Sequence, residues 1–361
     1  MGDPTKRVWI LGAGFSRALG GPLITDLLVW QHRNLVRAGL PGSDLVDESV
    51  AVRAFCAWGR EEGYWRHAEE FLSMVETAHW EDPKGRVSSH TTQRMSALLK
   101  GVVRYPDKQT GPLYEFADLR ELLFAARRGV IADCWGFLRG AHAELTAEWI
   151  SERWEPYVTW ASTLTDEDVI ITFNYDTIPE HLASIKTPGR ENRLQVIRPT
   201  RVDEYLQNPA GVVPVFKLHG SVTWQLTDEG EPDTKEPSLK AVPHCLLDTK
   251  IEPLIAMPGP TKFDHCSKHF GHLWRAAMSA LKSAYSTIFM GYRFPESDVY
   301  SQSEILRAIA SFSQKNIVLG TPGPDTARME SLLVGGLHMP EVFPRTATDH
   351  LIRHNLSRLG P

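Results

Sequence analysis

Side chains suited to acid–base chemistry follow two apolar segments of the chain, at the point where each segment ends. Asn174 follows the run that begins the segment 169–176 (VIITFNYD), and His219 follows the run that begins the segment 215–221 (VFKLHGS). An amide both donates and accepts hydrogen bonds, so Asn174 can hold a hydroxyl group or a water molecule. An imidazole can accept a proton near neutral pH. The two residue types predict a site that orients and deprotonates a small nucleophile.

A third apolar run, 8–11, breaks into Gly12-Ala13-Gly14 and continues as a helix-like stretch. A strand, a tight glycine turn and a helix N-terminus together let backbone N–H groups meet a pyrophosphate. Glycine is expected here because a Cβ would block the close approach of a ligand and forbid positive φ. Arg17 stands where the common dinucleotide fingerprint has its third glycine. The turn therefore predicts a phosphate site, to which Ser16 would add its hydroxyl.

The segment 287–298 (TIFMGYRFPESD) is a fourth apolar run that ends in small and polar residues. In an open parallel sheet, ligands bind beyond the carboxyl ends of the strands. If the four runs are parallel strands, the glycine turn, Asn174, His219 and Gly291 face one crevice. This arrangement predicts an α/β fold that surrounds one dinucleotide.

Between the first two runs the apolar spacing becomes helical from about residue 45 to 160. Two sets of residues fit one helical face each: Ala68, Phe71, Leu72 and Val75, and Leu119, Leu122, Leu123 and Ala126. We predict a single domain, 1–361, with a Rossmann-like parallel sheet flanked by helices (1–30 and 165–361). A large, mostly helical insertion subdomain (31–164) interrupts it.

Smaller expectations follow from local patterns. Residues 1–30 predict a strand, a turn and a helix that carries Leu27, Leu28 and Trp30. The segment 317–320 predicts a last core strand, and the acidic, Pro-rich segment 228–237 predicts a surface loop. Interruptions of the helical pattern are expected near 81–85 and 105–107. Arg37, Arg127 and Arg128 are expected on solvated helix faces.

Composition narrows the class of protein. The chain has 361 residues, of which 42% are hydrophobic, so it can bury one large core or two smaller ones. It contains no uninterrupted apolar stretch of about 18 residues, which predicts no membrane span. The short polar start before the first strand predicts no signal peptide. Its four scattered cysteines indicate a reducing cytoplasm, and its net charge of −5 gives no general attraction to nucleic acid.

Adjacent histidines and cysteines at 244–245 and 265–266, with His269 nearby, are weak evidence for a metal. Neighbouring residues of a strand point to opposite faces, so adjacent pairs rarely supply two ligands. None of the four cysteines forms a Cys-x-x-Cys pair. We therefore predict no metal.

The motifs taken together resemble the sirtuin superfamily, specifically the bacterial sirtuin-like NAD-consuming enzymes of antiphage defence. The matches are G-A-G-x-S at Gly12, Ala13, Gly14 and Ser16; Gly-x-Pro at Gly20 and Pro22; T-x-N-x-D at Thr172, Asn174 and Asp176; His-Gly at His219 and Gly220; and the late motif at Gly291, Tyr292, Phe294, Pro295 and Asp298. The resemblance implies NAD as substrate and Asn174 and His219 as catalytic residues. It implies NAD contacts at Gly12, Ala13, Gly14, Phe15, Ser16, Thr172, Asp176, Gly220, Gly291, Tyr292 and Arg293.

The chain departs from the protein-deacylating sirtuins in two places. They have Asp-Phe-Arg where this chain has Leu23-Ile24-Thr25, and they carry a four-cysteine zinc ribbon that this chain lacks. The first hypothesis is therefore an NAD glycohydrolase that releases nicotinamide and ADP-ribose. Two alternatives stay open: an NAD-dependent deacylase or ADP-ribosyltransferase, and a non-catalytic module that senses NAD or ADP-ribose.

The resemblance also implies a biological setting. It points to a bacterial cytoplasmic effector that depletes NAD when phage infection is sensed. Because such an activity is toxic, we expect control by self-assembly or by a separate protein, such as an ATPase or a nucleic-acid-guided sensor. Contact with membranes and direct binding of nucleic acid are not expected.

Overall fold

The computed structural model describes residues 6–29, 43–81, 90–100, 116–146, 149–185, 193–207, 211–234, 239, 241–259, 262–295, 298–310, 316–320, 325–334 and 341–342. Its strands are β1 Arg7–Leu11, β2 Asp168–Thr172, β3 Leu194–Ile197, β4 Val213–Lys217, β5 Gly220–Leu226, β6 Pro232–Asp233, β7 Pro253–Ile255, β8 Ser286–Met290, β9 Asn316–Gly320 and β10 Glu341–Val342.

Seven of these strands form one parallel sheet in the order β10-β9-β8-β1-β2-β4-β3. The four apolar runs singled out in the sequence are β8, β1, β2 and β4, which are neighbours at its centre. Strands β5, β6 and β7 make a small antiparallel sheet beside it. The predicted fold class, a Rossmann-like parallel sheet flanked by helices, is confirmed.

The described helices are α1 Ala13–Ser16, α2 Ser43–Glu61, α3 Ala68–Glu81, α4 His90–Lys100, α5 Leu119–Gly136, α6 Ala141–Glu144, α7 Glu155–Ser162, α8 Ile178–Ala183, α9 Val202–Gln207, α10 Lys262–Lys282, α11 Val299–Ala310 and α12 Asp325–Val334. The longer of these helices pack against buried apolar clusters or against neighbouring helices. Among the described residues, no helix is long and apolar enough to cross a membrane.

Alternation along the central strands builds two cores, one on each face of the sheet. Val8 and Ile10 point to the face covered by α10, α11 and α12, whereas Trp9 and Leu11 point to the face covered by α7 and α8. Both faces are apolar because helices cover both, as parallel sheets require. This rigid centre fixes where the strands end, and so where the loops that follow them lie.

A third core lies within the helices that precede β2. Helices α3 and α5 bury the two apolar faces that the sequence predicted, and they pack with α2 and with β7. The described part of the chain between β1 and β2 contains no strand of the main sheet. These helices form one wall beside the carboxyl ends of the central strands.

The N-terminal helix is shorter than predicted. Helix α1 ends at Ser16, a 3₁₀ turn follows, and Gly20 closes that turn with φ +94°. The glycine adopts a left-handed conformation there, and Pro22 follows two residues later, so the helix cannot continue. Leu27 is extended and Leu28 has φ +53°, so the helix expected at these positions is not formed.

The expectation that Arg127 and Arg128 lie on a solvated helix face was wrong. Both side chains are buried on α5. Arg127 pairs with Glu76 at 3.2 Å and with Glu252 at 2.8 Å, and Arg128 pairs with Glu48 at 2.7 Å. Helix α5 is surrounded by other parts of the chain, and carboxylates from α2, from α3 and from the residue before β7 neutralise its charges.

Other expectations need smaller corrections or fall outside the described residues. Strand β9 is not the last strand, because β10 pairs with it at the sheet edge. The segment 228–237 includes β6, which pairs with β5. Trp30, Arg37, the break at 105–107 and most of the break at 81–85 lie outside the described residues.

Candidate functional site

A cavity of about 330 Å³ lies at the carboxyl ends of β8, β1, β2 and β4. The loops that follow these four strands line it with Gly12, Asn174, His219 and Gly291. Helix α5 and the segment 22–27 form the opposite wall. The parallel topology therefore brings the amide, the imidazole and the glycine turn to one crevice, as the carboxyl ends of parallel strands require.

The glycines of the β1 turn pack against the turn that follows β8. A Cβ on Gly12 would lie 2.6 Å from the carbonyl oxygen of Gly291, and one on Gly14 would lie 2.7 Å from its Cα. The N–H of Gly12 donates to the carbonyl of Met290, and that of Gly14 donates to the carbonyl of Gly291, both at 3.0 Å. Glycine is thus required by the close packing of these two turns. The expectation of a positive φ was wrong, because Gly12 has φ −125° and Gly14 lies in α1.

The side chain of Asn174 is fixed by two hydrogen bonds. Its Nδ2 donates to the carbonyl of Gly12 at 2.9 Å and to the hydroxyl of Ser16 at 3.0 Å. Because the Gly12 carbonyl can only accept, the amide nitrogen must be the atom that faces it. This orientation leaves Oδ1 of Asn174 as the atom available to a ligand in the crevice.

Ser16 connects Asn174 to a buried carboxylate. Its hydroxyl donates to Oδ2 of Asp176 at 2.5 Å, and Oδ1 of Asp176 accepts the N–H of Ile178 at 3.1 Å. Burial raises the pKa of Asp176, whereas the nearby Lys217 charge and the hydrogen bond from Ser16 oppose the rise. In this conformation the Ser16 hydroxyl holds the loop after β2, so contact with a phosphate would require it to exchange partners.

His219 belongs to a buried cluster of polar side chains. Its Nε2 lies 3.1 Å from the hydroxyl of Ser301 and 3.4 Å from Oδ2 of Asp298. The hydroxyl of Ser301 donates to Oδ1 of Asp298 at 2.6 Å, and Nζ of Lys262 lies 3.1 Å from the same oxygen. Asp298 and Lys262 line the crevice together with the imidazole.

The imidazole of His219 is a weaker base than the sequence suggested. Burial and the neighbouring Lys262 charge lower its pKa to about 3, and the Asp298 carboxylate opposes the shift only in part. Packing against Phe173, with ring centroids 4.8 Å apart, accounts for part of the burial. His219 is therefore neutral at neutral pH, with one nitrogen able to accept a proton.

Acid should destabilise the protein through His219. Unfolded, the side chain takes up a proton below pH about 6.5, whereas the folded state does so only near pH 3. Above pH 6.5 the neutral His219 imidazole therefore makes its full contribution to the stability of the folded state, and this contribution is lost as the pH falls toward 3. Between pH 7.5 and 5.5, we expect the stability of the parent protein to fall by about 1 kcal/mol more than that of His219→Gln.

Urea unfolding at several pH values measures this difference. Ser303→Ala is the control that removes no titratable group, because Ser303 is exposed on α11 and its hydroxyl donates to the backbone carbonyl of Tyr300. It should leave the pH dependence of stability unchanged. Parallel curves for the parent protein and His219→Gln would show that the imidazole is not buried in its neutral form.

Three of the predicted NAD contacts lie outside the crevice lining. Phe15 is buried in the core with Trp160, and Gly220 has φ +87° with its α-carbon facing the backbone of Leu254. Thr172 is also buried, and its hydroxyl accepts the N–H of Asn174 at 3.1 Å. These residues shape the loops that carry the site. The other predicted contacts, which line the crevice, are Gly12, Ala13, Gly14, Ser16, Asp176, Gly291, Tyr292 and Arg293.

Sequence reasoning assigned no role to Lys217, which is fully buried at the end of β4. Its Nζ donates to the carbonyl of Asp176 at 2.5 Å, to Ser221 at 2.8 Å and to Glu180 at 3.0 Å. The lysine thereby ties the loop after β2 to the loop after β4. A lysine that ends an otherwise apolar strand was the signal that could have identified this residue.

Apolar and cationic side chains complete the crevice. Leu23, Ile24 and Leu27 form an apolar wall, and Arg293 and Arg328 add positive charge. Apolar walls suit a ring, and cations suit a phosphate. The crevice therefore combines features that fit the two halves of an anionic nucleotide.

No group of three or more histidine, cysteine, aspartate or glutamate side chains suited to a metal occurs within the described ranges. His265 and His269 lie one turn apart on α10, with ring centroids 4.8 Å apart. His244 and Cys245 belong to a 3₁₀ turn.

The fold of the chain is similar to that of solved structures. The chain is similar to a solved structure described as "Sir2 bound to acetylated peptide", with 12% sequence identity and a TM-score of 0.40. The similarity covers 98% of this chain and 92% of that one. No protein-family model matches the chain, and no curated protein matches it.

Proposed function

We propose that the crevice binds NAD and hydrolyses its nicotinamide–ribose bond, giving nicotinamide and ADP-ribose. One observation carries the proposal: the oriented amide of Asn174 and the neutral imidazole of His219 lie at the carboxyl ends of adjacent strands, in the same crevice as the glycine turn. The sequence motifs that resemble NAD-consuming enzymes supply these same residues.

The chemistry needs few groups. Nicotinamide is attached to ribose as a pyridinium, so it leaves neutral with the electron pair of the broken bond and needs no acid. The transition state resembles an oxocarbenium ion, as in glycoside hydrolysis. The protein has to orient the ribose, admit one water molecule and accept one proton.

The residues of the crevice fit these tasks. Oδ1 of Asn174 accepts a hydrogen bond from the attacking water or a ribose hydroxyl. His219 accepts the proton that the water loses as its oxygen bonds to C1′ of the ribose. The proton then passes to solvent, so the products are nicotinamide, ADP-ribose and one proton. Leu23 and Ile24 provide apolar surface against which the nicotinamide ring can lie.

A product assay tests the proposal against its alternatives. The purified protein is incubated with NAD, with and without an acetylated peptide, and the products are separated. Free nicotinamide with ADP-ribose supports hydrolysis. Acyl-ADP-ribose or a modified protein would identify a deacylase or transferase instead, and unchanged NAD bound to the protein would identify a sensing module.

We further propose that the protein acts in the bacterial cytoplasm as an antiphage effector that depletes NAD once it is activated. Control would come from a homo-oligomer or from a separate regulatory protein, such as an ATPase or a nucleic-acid-guided sensor. The motif resemblance supports this role. Activity is measured across protein concentrations, alone and with the product of the neighbouring gene; full activity of a dilute monomer would contradict the need for assembly.

A further inference from the structure

The hydroxyl of Ser301 stands between the imidazole of His219 and the carboxylate of Asp298. Its oxygen lies 2.6 Å from Oδ1 of Asp298 and 3.1 Å from Nε2 of His219. All three side chains are buried, with exposed fractions of 4% or less. Water therefore does not replace either hydrogen bond.

The direction of the hydrogen bond between Ser301 and Asp298 determines the direction of the one between Ser301 and His219. A carboxylate can only accept, so the single hydroxyl proton of Ser301 must go to Asp298. The hydroxyl then has only lone pairs to offer to the imidazole. Nε2 of His219 must carry the proton of the neutral ring, which leaves Nδ1 as the unprotonated nitrogen.

We propose that Ser301 and Asp298 are positioning residues that hold His219 in the Nε2-protonated tautomer and so present Nδ1 to the crevice as the proton acceptor. The proposal rests on the proposed hydrolysis for its consequence in catalysis. The tautomer itself depends only on the hydrogen bonds within the cluster.

The same neighbours of His219 also accommodate its protonated ring. When Nδ1 takes the proton of the attacking water, the imidazole becomes a cation that donates from both nitrogens. Oδ2 of Asp298 lies 3.4 Å from Nε2, and its negative charge stabilises that cation. Lys262, at 3.1 Å from Oδ1, keeps the carboxylate ionised and fixed. No proton needs to move to Asp298, and the proton on Nδ1 is later released to solvent.

Nitrogen NMR of ¹⁵N-histidine-labelled protein tests the tautomer without any substrate. Nδ1 and Nε2 of a neutral ring have well-separated shifts, and the His219 signals are assigned from their loss in His219→Gln. We expect the Nε2-protonated form in the parent protein. In Ser301→Ala and Asp298→Asn we expect a mixture of the two tautomers.

Kinetics of the same variants give the second readout. We expect kcat for NAD hydrolysis to fall by about 10-fold to 100-fold in Ser301→Ala and by more in Asp298→Asn, with KM nearly unchanged. Ser303→Ala is the matched control, because Ser303 lies on the same helix, is exposed and donates its hydroxyl proton to the backbone carbonyl of Tyr300. It should change neither the tautomer nor kcat.

The outcomes are distinct. An Nδ1-protonated ring in the parent protein, or an unchanged tautomer in both variants, would overturn the proposal whatever the protein catalyses. A parent protein with the expected tautomer but no NAD hydrolysis under activating conditions would contradict the proposed function and leave the tautomer assignment in place. Circular dichroism of each variant shows whether it is folded.

Discussion

Alanine at Asn174 or at His219 is expected to lower NAD turnover by about two orders of magnitude or more, the usual effect of losing a positioned acid–base group. Asn174→Ala removes the oxygen that orients the water or the ribose, and His219→Ala removes the proton acceptor. NAD binding should survive largely intact, because the cationic and apolar walls of the crevice remain. NAD loss and NAD binding are measured side by side in the activated protein.

The double variant adds a stricter test. Two groups that act on one water molecule are not additive, so the double variant should be little worse than the less active single variant. Thr25→Ala is the matched control, since Thr25 lines the same crevice, is exposed and has no part in the proposed chemistry. Near-parental hydrolysis by both folded alanine variants would show that the catalytic assignment is wrong.

The central sheet was predictable because its signals are local. Each of the four apolar runs is short, is followed by small or polar residues, and becomes one of the adjacent strands β8, β1, β2 and β4. The carboxyl ends of parallel strands must share one edge, so the sequence alone was enough to place Asn174 and His219 together. The helical faces of α3 and α5 followed from periodicity in the same way.

The buried charges were not predictable because their partners are distant in sequence. Arg127 and Arg128 resemble solvated residues of any amphipathic helix, yet Glu76 and Glu48 reach them from other helices. Burial depends on which elements surround α5, and no local pattern contains that information. A pair of adjacent arginines therefore gave the wrong expectation.

In the crevice, too, the sequence predicted which residues are present but not how they contact one another. The late motif identified Asp298 as one of its matches but not as a neighbour of His219, because Ser301 and Lys262 reach that carboxylate from two different helices. The reason for the glycines in the β1 turn was also partly hidden. Close packing against Gly291 depends on β1 and β8 being adjacent, which sequence patterns suggested but could not turn into distances.

Lys217→Met is expected to cause the largest loss of stability among these variants, about 3–5 kcal/mol, the usual cost of breaking a buried ion pair by removing one partner. Methionine fills a similar volume in β4 but leaves the carboxylate of Glu180 and the carbonyl of Asp176 without the ammonium. Urea unfolding at neutral pH measures the loss. Lys282→Met, at the exposed end of α10, is the control and should change stability little.

A second substitution separates charge from packing at this position. Glu180→Gln removes the carboxylate that pairs with Lys217, so in combination with Lys217→Met only the Asp176 carboxylate stays buried near the lost ammonium, and part of the lost stability should return. The uncompensated carbonyl of Asp176 should keep the double variant below the parent protein. A loss of less than about 1 kcal/mol in Lys217→Met would show that the lysine does not hold the two loops together. A double variant no more stable than Lys217→Met would show that the cost comes from packing and the carbonyl rather than from the stranded carboxylate.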